Sequence, residues 1–472
     1  NNKKVLELEN MLTIVTKRSE EKKFEVVTLK CEKDAYQEKM DQILDKKDQE
    51  IIRTNHLLGS AQQQLADTKS HCKELSERLK FYKTKQNDLV DRIRKQDEMR
   101  RCLHNKVMKL SGNIKVFVRV RPTLNTEINL KKNLVGSSKN NDECPFSFPG
   151  LNAAPDDPIQ NLMLVKEPHK DRGGLNPRRK KWQYSFDNVF APSHKQEDIW
   201  ESVEPLVQSC LDGYNVCIFA YGQTGSGKTF TMLGTNDQPG IIYRSILKIF
   251  DAKKDIEERC KGNVNITVEL LEIYNENVQD LLVKGRRSSI SKGADVKVNA
   301  NEAVGNAIIH VSCEEEVIQI LNIAQQRRCI KATKSNEESS RSHLIFSLKY
   351  VHTSSDGIKR SGKLNICDLA GSERLSKSES IGSTLKETQH INKSLSSLSN
   401  VIEKLQAKSA HIPFRESKLT YLLQNSLEGD SKTLAVICCN PDSNHFNESM
   451  CSLRFASKVN KVEMKAAANF SC

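Results

Sequence analysis

The first 111 residues contain no proline and one glycine, Gly59, whereas Pro122 is the first of twelve prolines. A stretch that long without a breaker is either helical or disordered, and the spacing of its apolar residues decides between the two. Counting by sevens puts Leu58, Leu65, Cys72, Leu79, Gln86, Ile93, Arg100 and Val107 at a positions. Ala61, Thr68, Leu75, Tyr82, Leu89, Gln96, Leu103 and Leu110 fall at d. Twelve of these sixteen are apolar over eight heptads, which is the pattern of a coiled coil. Upstream, Val5, Leu8, Leu12, Val15, Val26, Leu29, Tyr36, Met40 and Ile43 follow a register offset by four, with Lys22 and Lys33 interrupting it. A stutter between Met40 and Ile51 reconciles the two registers. Polar Gln86, Gln96 and Arg100 weaken the seam near its end and bear on partner choice. A continuous helix here spans ~165 Å. A parallel dimer is the expectation; the alternative is a lone amphipathic helix folded onto the globular part.

Composition excludes several other classes. Hydrophobic residues are 37% and charged residues 28%, and no run approaches the ~18 apolar residues of a spanning helix. The chain begins at Asn1 and its first fifty residues lack a signal-peptide layout, so it reads as a soluble fragment of something longer. Fourteen cysteines are scattered without a CxxC pair, and Cys217, Cys367 and Cys438 sit in apolar runs, as free thiols of a reducing compartment do. The net charge of +13 divides into +6 for residues 1–110 (25 basic, 19 acidic) and +7 for the remainder (48 basic, 41 acidic). That modest, mixed excess suits an acidic partner surface and not a nucleic-acid arm.

From Gly112 the pattern changes. Lys115–Val120, Val216–Tyr221, Ile266–Ile273, Ile345–Val351, Leu364–Leu369 and Thr433–Cys439 are predicted strands. Glu314–Arg328, Thr384–Leu405 and Lys418–Ser426 are predicted helices. The alternation points to an α/β sandwich around a buried, mostly parallel central sheet. Thr123–Lys181, with its basic run Arg178–Lys181, reads as an extended surface insertion. The expected division is a coiled-coil stalk and neck over 1–111, a globular domain over 112–465 and a short tail over 466–472.

The chemistry concentrates in three places. Gly222, Gln223, Thr224, Gly225, Ser226, Gly227, Lys228 and Thr229 match G-x-x-x-x-G-K-[ST] and directly follow an apolar strand. Such a loop wraps phosphates with backbone N–H groups, Lys228 reaches the β- and γ-phosphates, and the Thr229 hydroxyl binds Mg²⁺. Asp368 ends another apolar strand, where a carboxylate suits Mg²⁺ ligation. Gly371 after it is a natural backbone sensor of a γ-phosphate. Asn336, Ser339, Ser340 and Arg341 lie in a hydroxyl-rich run that ends at His343. Taken singly, the last two segments are more often capped turns; with the phosphate loop they make a sensor pair.

In this order the three elements resemble the kinesin motor domain: the phosphate loop, the NxxSSRSH segment (switch I) and DLAGSE (switch II) are intact. Arg119-Val-Arg121-Pro122, Leu271-Glu-Ile-Tyr-Asn-Glu-Asn, Ile391-Asn-Lys-Ser-Leu, His411 through Thr420 and Ser452 through Ser457 extend the resemblance from about Gly112 to Lys461. It implies a P-loop NTPase fold and an ATPase that uses ATP and Mg²⁺. Arg119 and Pro122 then border the adenine with Phe230 beside it, Arg121 also belongs to the nucleotide site, and Ser340 joins the Mg²⁺ shell. Arg341 and Glu373 form the ion pair that closes the site, while Ser339 and Glu373 relay protons from the attacking water. Ile391–Leu405 becomes the helix that reads nucleotide state and meets tubulin through Asn392 and Lys393. Arg286, Arg287, Lys292, Arg415 and Lys418 add basic contacts. Tyr421 and the Ser399-Asn400 pair depart from the family pattern.

A coil running through Lys109 and Gly112-Asn113 straight into the first strand, with only fifteen residues after Ser457, resembles the C-terminal-motor class (kinesin-14), and Pro413 through Tyr421 and Leu453 through Asn460 look most like its fungal karyogamy branch. The resemblance implies minus-end-directed movement with the rod as lever, sliding or crosslinking spindle microtubules, in the cytoplasm on the cytoskeleton with the nucleus as a further location. It implies a homodimer, or a heterodimer with a motor-like partner. A microtubule crosslinker with weak or no motility is the alternative, disfavoured by intact Lys228, Thr229, Arg341 and Glu373. A DNA-organising P-loop ATPase leaves Ile391–Leu405 and His411–Thr420 without a role.

Overall fold

The computed structural model describes residues 2–110, 114–124, 144–151, 153, 157–168, 180–260, 262–283, 296–299, 302–332, 338–354, 357, 359–373, 383–428 and 431–462. The chain divides into two compact units, Asn1–Glu98 and Met99–Cys472. Helix α1 (Asn2–Leu110) runs unbroken through the heptad region, and its last turns belong to the second unit. Along it the seam residues stay open: Leu65, Leu79, Leu89 and Leu103 are 49–57% exposed. The Gly112-Asn113 junction lies outside the described residues.

The strands of the second unit are β1 (Ile114–Val120), β2 (Phe146–Ser147), β3 (Leu162–Lys166), β4 (Lys181–Ser185), β5 (Asn188–Phe190), β6 (Val216–Tyr221) and β7 (Asn263–Tyr274). They continue with β8 (Asn277–Asp280), β9 (Lys297–Asn299), β10 (Glu302–Val304), β11 (Ile309–Val311), β12 (His343–Thr353), β13 (Lys359–Asp368) and β14 (Lys432–Cys439). The helices are α2 (Gln196–Leu211), α3 (Lys228–Met232), α4 (Ile241–Cys260), α5 (Glu314–Ala332) and α6 (Glu338–Arg341). After them come α7 (Ser383–Gln406), α8 (Lys418–Leu422), α9 (Gln424–Glu428) and α10 (Phe446–Asn460).

Among the described residues nine strands form one sheet in the order β11-β7-β12-β13-β6-β14-β1-β5, with β8 also on β7. The sheet is mixed. Its β13-β6-β14-β1-β5 half is parallel, as expected, but β12 runs antiparallel to both neighbours, and β8 and β11 are antiparallel to β7. Hairpin-like reversals account for two of these pairs: β7 turns directly into β8 through Asn275 and Glu276, both at positive φ, and β12 returns as β13.

Helices cover both faces, which is why the parallel strands read as unbroken apolar runs. On one face Val216, Ile218 and Ala220 of β6 join a core with α2, α4 and α5. On the other, Cys217, Phe219 and Tyr221 join a core with α7, α8 and α10. Cys217, Cys367 and Cys438 are buried free thiols.

Two expectations change. Part of the Thr123–Lys181 insertion is a small antiparallel sheet, β2-β3-β4, whose Met163 and Val165 are fully buried and whose Trp182 ring lies 6.0 Å from that of Phe446. The helix expected over Lys418–Ser426 breaks at Leu423, whose N–H reaches back to Leu419 and Tyr421 carbonyls and closes α8 after five residues.

Candidate active site

Strands β13, β6, β14 and β1 end together at one edge of the sheet, the crevice where open α/β sheets bind ligands. The phosphate loop leaves β6 at Gly222, where a side chain would run into the Cys438 carbonyl of β14. It enters α3 at Gly227, whose φ of 98° glycine adopts without strain. Lys228 is 7% exposed and donates to the Gln223 carbonyl at 3.0 Å. Burial lowers its pKa, against the opposing pull of Asp368 and Glu373. Thr229 Oγ1 donates to Asp368 Oδ2 at 2.7 Å. Asp368 Oδ1, Ser226 Oγ and Gln223 Oε1 are buried without a hydrogen-bond partner among the described residues.

These groups fit a nucleotide triphosphate with its cation. A buried ammonium beside a loop of N–H groups matches polyphosphate oxygens, and a hydroxyl on a carboxylate with one free oxygen matches hard-cation ligation. Lys228 and the loop backbone would hold the phosphates, and Thr229 and Asp368 the Mg²⁺. Mg²⁺ bound there offsets charge on the β- and γ-phosphates.

Switch II lies against this loop, and switch I against switch II. Gly371 N–H donates to the Ser340 carbonyl at 2.8 Å, and Ser372 N–H to the Gly222 carbonyl at 3.1 Å. Glu373 accepts from Thr224 N–H at 2.8 Å and from Thr224 Oγ1 at 2.6 Å. Its carboxylate is thus engaged by the phosphate loop. Arg341 ends α6 and is partly exposed. Ser339 lies in α6 as well, and Asn336 is outside the described residues.

Arg119 is buried, 5% exposed. Its guanidinium donates to Gln196 at 3.0 Å and Thr231 at 2.8 Å, and sits 5.2 Å from the centroid of the Phe230 ring. Gln196 in turn donates to the Phe230 carbonyl. Arg119 therefore braces β1 against α3 and holds Phe230 from behind. Arg121 Nε donates to the Gly225 carbonyl at 2.7 Å and its Nη1 to the Pro122 carbonyl at 2.9 Å, tying the end of β1 to the loop.

Several functional contacts escaped the sequence reading. Buried Glu272, Arg328 and Ser342 share hydrogen bonds, with Arg328 Nε on Glu272 at 3.3 Å and Ser342 Oγ on the same oxygen at 2.7 Å. They anchor the start of β12 to β7 and α5. Buried His343 accepts from Ala370 N–H at 3.0 Å and reaches Ser394 of α7 at 2.8 Å. Arg100, which the heptad count puts at an a position, pairs through two hydrogen bonds with Asp212, at 2.7 and 3.2 Å. Four residues on, His104 meets Ser209 at 2.9 Å, and four further Met108 is buried in the core. An i, i+4, i+8 polar–polar–apolar face is a weak sequence signal, and here it was overlain by the heptad.

Of the candidate microtubule contacts, Lys393 and Arg415 are exposed and border one shallow depression with Asn400 and Glu416; Asn392 is partly exposed. Asn400 donates to both Glu416 oxygens at 3.3 and 3.4 Å, and the Arg415 guanidinium lies 5.6 Å from the centroid of the Tyr421 ring. Both departures from the family pattern are thus engaged by neighbours. Exposed Lys418 gives its N–H to Glu276 at 2.9 Å. Arg286, Arg287 and Lys292 lie outside the described residues.

The family description "Kinesin motor domain" matches residues 119–462. The carboxy-terminal kinesin 2 of Xenopus laevis is 43% identical over 380 residues, covering 79% of this chain and 56% of that protein. The kinesin-like protein KAR3 of Saccharomyces cerevisiae is 38% identical over 480 residues, covering 98% of this chain and 62% of that one. The chain spans about half the length of the curated relatives that it matches, 51% of kinesin-related protein 2 of Dictyostelium discoideum among them. A solved structure described as the C-terminal motor and motor homology domain of Kar3Vik1 fused to a synthetic heterodimeric coiled coil superposes with a TM-score of 0.69 at 39% identity, covering 85% of this chain and 99% of that one. With a phosphate loop, two switches and this sheet order in place, the chain belongs to the kinesin motor domain family, in its kinesin-14 class.

Proposed function

We propose that the chain is a microtubule-stimulated ATPase that moves toward microtubule minus ends and slides or crosslinks microtubules in the spindle. The observation that carries the ATPase reading is the cluster of Lys228, Thr229 and Asp368, with Glu373 held nearby by Thr224. Lys228 supplies fixed positive charge where negative charge builds up on the transferred phosphoryl group. Glu373, once released from Thr224, pairs with Arg341 and orders the attacking water with Ser339. Ser340 completes the Mg²⁺ shell, and Arg119 and Pro122 border the adenine with Phe230 beside it.

Direction is supported by the placement of the helix. It precedes the motor, and its last turns pack on the core through Arg100, His104 and Met108. Rotation of that helix then moves whatever the rod carries. Lys393, Arg415 and Lys418, joined by Arg286, Arg287 and Lys292, face the acidic tubulin surface and tune its on-rate and salt sensitivity. The exposed heptad stripe takes a second helix, from the same chain or from a motor-like partner. The place of action is the cytoplasmic and spindle cytoskeleton, with the nucleus as a further location.

A gliding assay on polarity-marked microtubules, with the chain anchored through its first residues, tests this. Plus ends leading establishes minus-end-directed movement. Minus ends leading overturns the direction and keeps the ATPase. Binding without ATP-dependent gliding favours the crosslinker.

A further inference from the structure

His343 is the last residue of the NxxSSRSH run, and the chemistry described so far leaves it unused. It is 2% exposed at the start of β12. Its Nδ1 accepts from Ala370 N–H at 3.0 Å. A backbone N–H is only a donor, so the ring proton sits on Nε2 and is given to Ser394 Oγ at 2.8 Å. Ser394 passes its own proton to the Ile391 carbonyl at 2.7 Å. Every donor in this chain has one acceptor. The chain joins the residue before Gly371, the last residue of switch I and a buried turn of α7. Gly371 N–H bonds the Ser340 carbonyl one residue further along, so the two switches are cross-linked twice within two residues.

Such a connection has no slack. If a γ-phosphate draws Gly371, Ala370 moves with it, and His343 either follows or loses a buried hydrogen bond. Ser394 is likewise buried, 2% exposed, so no water replaces the lost partner. Burial, with Lys228 and Arg328 nearby, keeps the ring neutral, so the bond directions hold over the working pH range.

We propose that the His343–Ser394 hydrogen bond is the positioning contact that passes the arrangement of the nucleotide switches to helix α7. The proposal rests on the nucleotide reading of the site and is independent of direction and of tubulin.

Hydrogen exchange on the whole chain, with Mg²⁺–ADP or with a non-hydrolysable ATP analogue, tests it. In the wild type, amides of Ser383–Gln406 exchange differently in the two states. In Ser394→Ala that difference falls at least five-fold, while Gly222–Met232 keeps its nucleotide-dependent protection. Ser394→Thr, which retains the hydroxyl, restores the difference. Should alanine fail to fold, Ser394→Cys, close in size and a poor acceptor, serves in its place. A variant with the wild-type difference overturns the inference. So does a wild type whose α7 ignores the nucleotide while the phosphate loop is protected, which leaves the ATPase reading standing. An unprotected phosphate loop removes both.

Discussion

Thr224 holds both oxygens of Glu373, with its N–H at 2.8 Å and its hydroxyl at 2.6 Å, so the carboxylate expected to order the attacking water is tied to the phosphate loop. In the proposed closed site Glu373 exchanges Thr224 for Arg341. Thr224→Val removes the hydroxyl bond and keeps the shape. Thr224 is exposed, so the lost bond shifts the balance by only about two- to five-fold. The expected result is a basal ATPase rate raised by that factor, read in a coupled assay without microtubules. A fall would assign the hydroxyl to the phosphates themselves.

Lys228 is a buried cation of the site, with Asp368 and Glu373 among the nearby charges that favour its protonated form. Lys228→Ala should lower ATP turnover about 100-fold or more, because charge building up on the phosphoryl group then lacks its counter-charge. Thermal unfolding of the variant, measured alongside, should show a folded domain.

Thr231 donates to the Gly227 carbonyl and accepts from Arg119, both at 2.8 Å, and is fully buried. Thr231→Val keeps the volume and leaves one guanidinium bond unmade. Urea unfolding should show a loss of about 1–3 kcal/mol. Looser packing of Phe230 should also weaken ADP binding.

Acid should destabilise the motor partly through His343. Burial pushes its pKa down to about 3, against 6.5 unfolded, with Lys228 and Arg328 adding to the effect. The folded state refuses a proton that the unfolded state takes up, so the contribution is intact above pH 6.5 and erodes from there toward about pH 3. The slope of stability against pH over that window should be shallower in His343→Gln by up to one proton. Equal slopes would show that the ring titrates normally.

The last turns of α1 should loosen at mildly acid pH. His104 shares Ser209 Oγ with Lys432, whose ammonium lies 3.2 Å from it, and burial followed by that charge lowers the pKa of His104, against Asp212. Protonation therefore favours the undocked helix: docking is complete above pH 6.5 and weakens as pH falls below it. Hydrogen exchange over Met99–Met108 at pH 7.5 and 6.0 should reveal this, with His104→Gln flattening the dependence. Asp212→Asn should loosen the same turns at both values by cutting the Arg100 pair.

Glycine spacing, one lysine and the strand before them made the phosphate loop legible in the sequence, because a backbone that wraps phosphate tolerates few other residues. Asp368 was legible for the same reason, as a charge that ends an apolar run. The proline-free stretch and its heptads determined the helix, since local periodicity is all that a helix needs. Contacts between segments distant in the chain were not legible. The antiparallel half of the sheet depends on which strand lies beside which, and Ile266–Ile273, Ile345–Val351 and Leu364–Leu369 read equally apolar. Arg100 reads as a seam residue until Asp212, 112 positions away, is folded beside it. His343 reads as the end of a motif until Ala370 and Ser394 arrive at its two nitrogens. Local pattern specifies elements and loops; the partner of a buried polar group is chosen by tertiary packing, which leaves no trace in spacing.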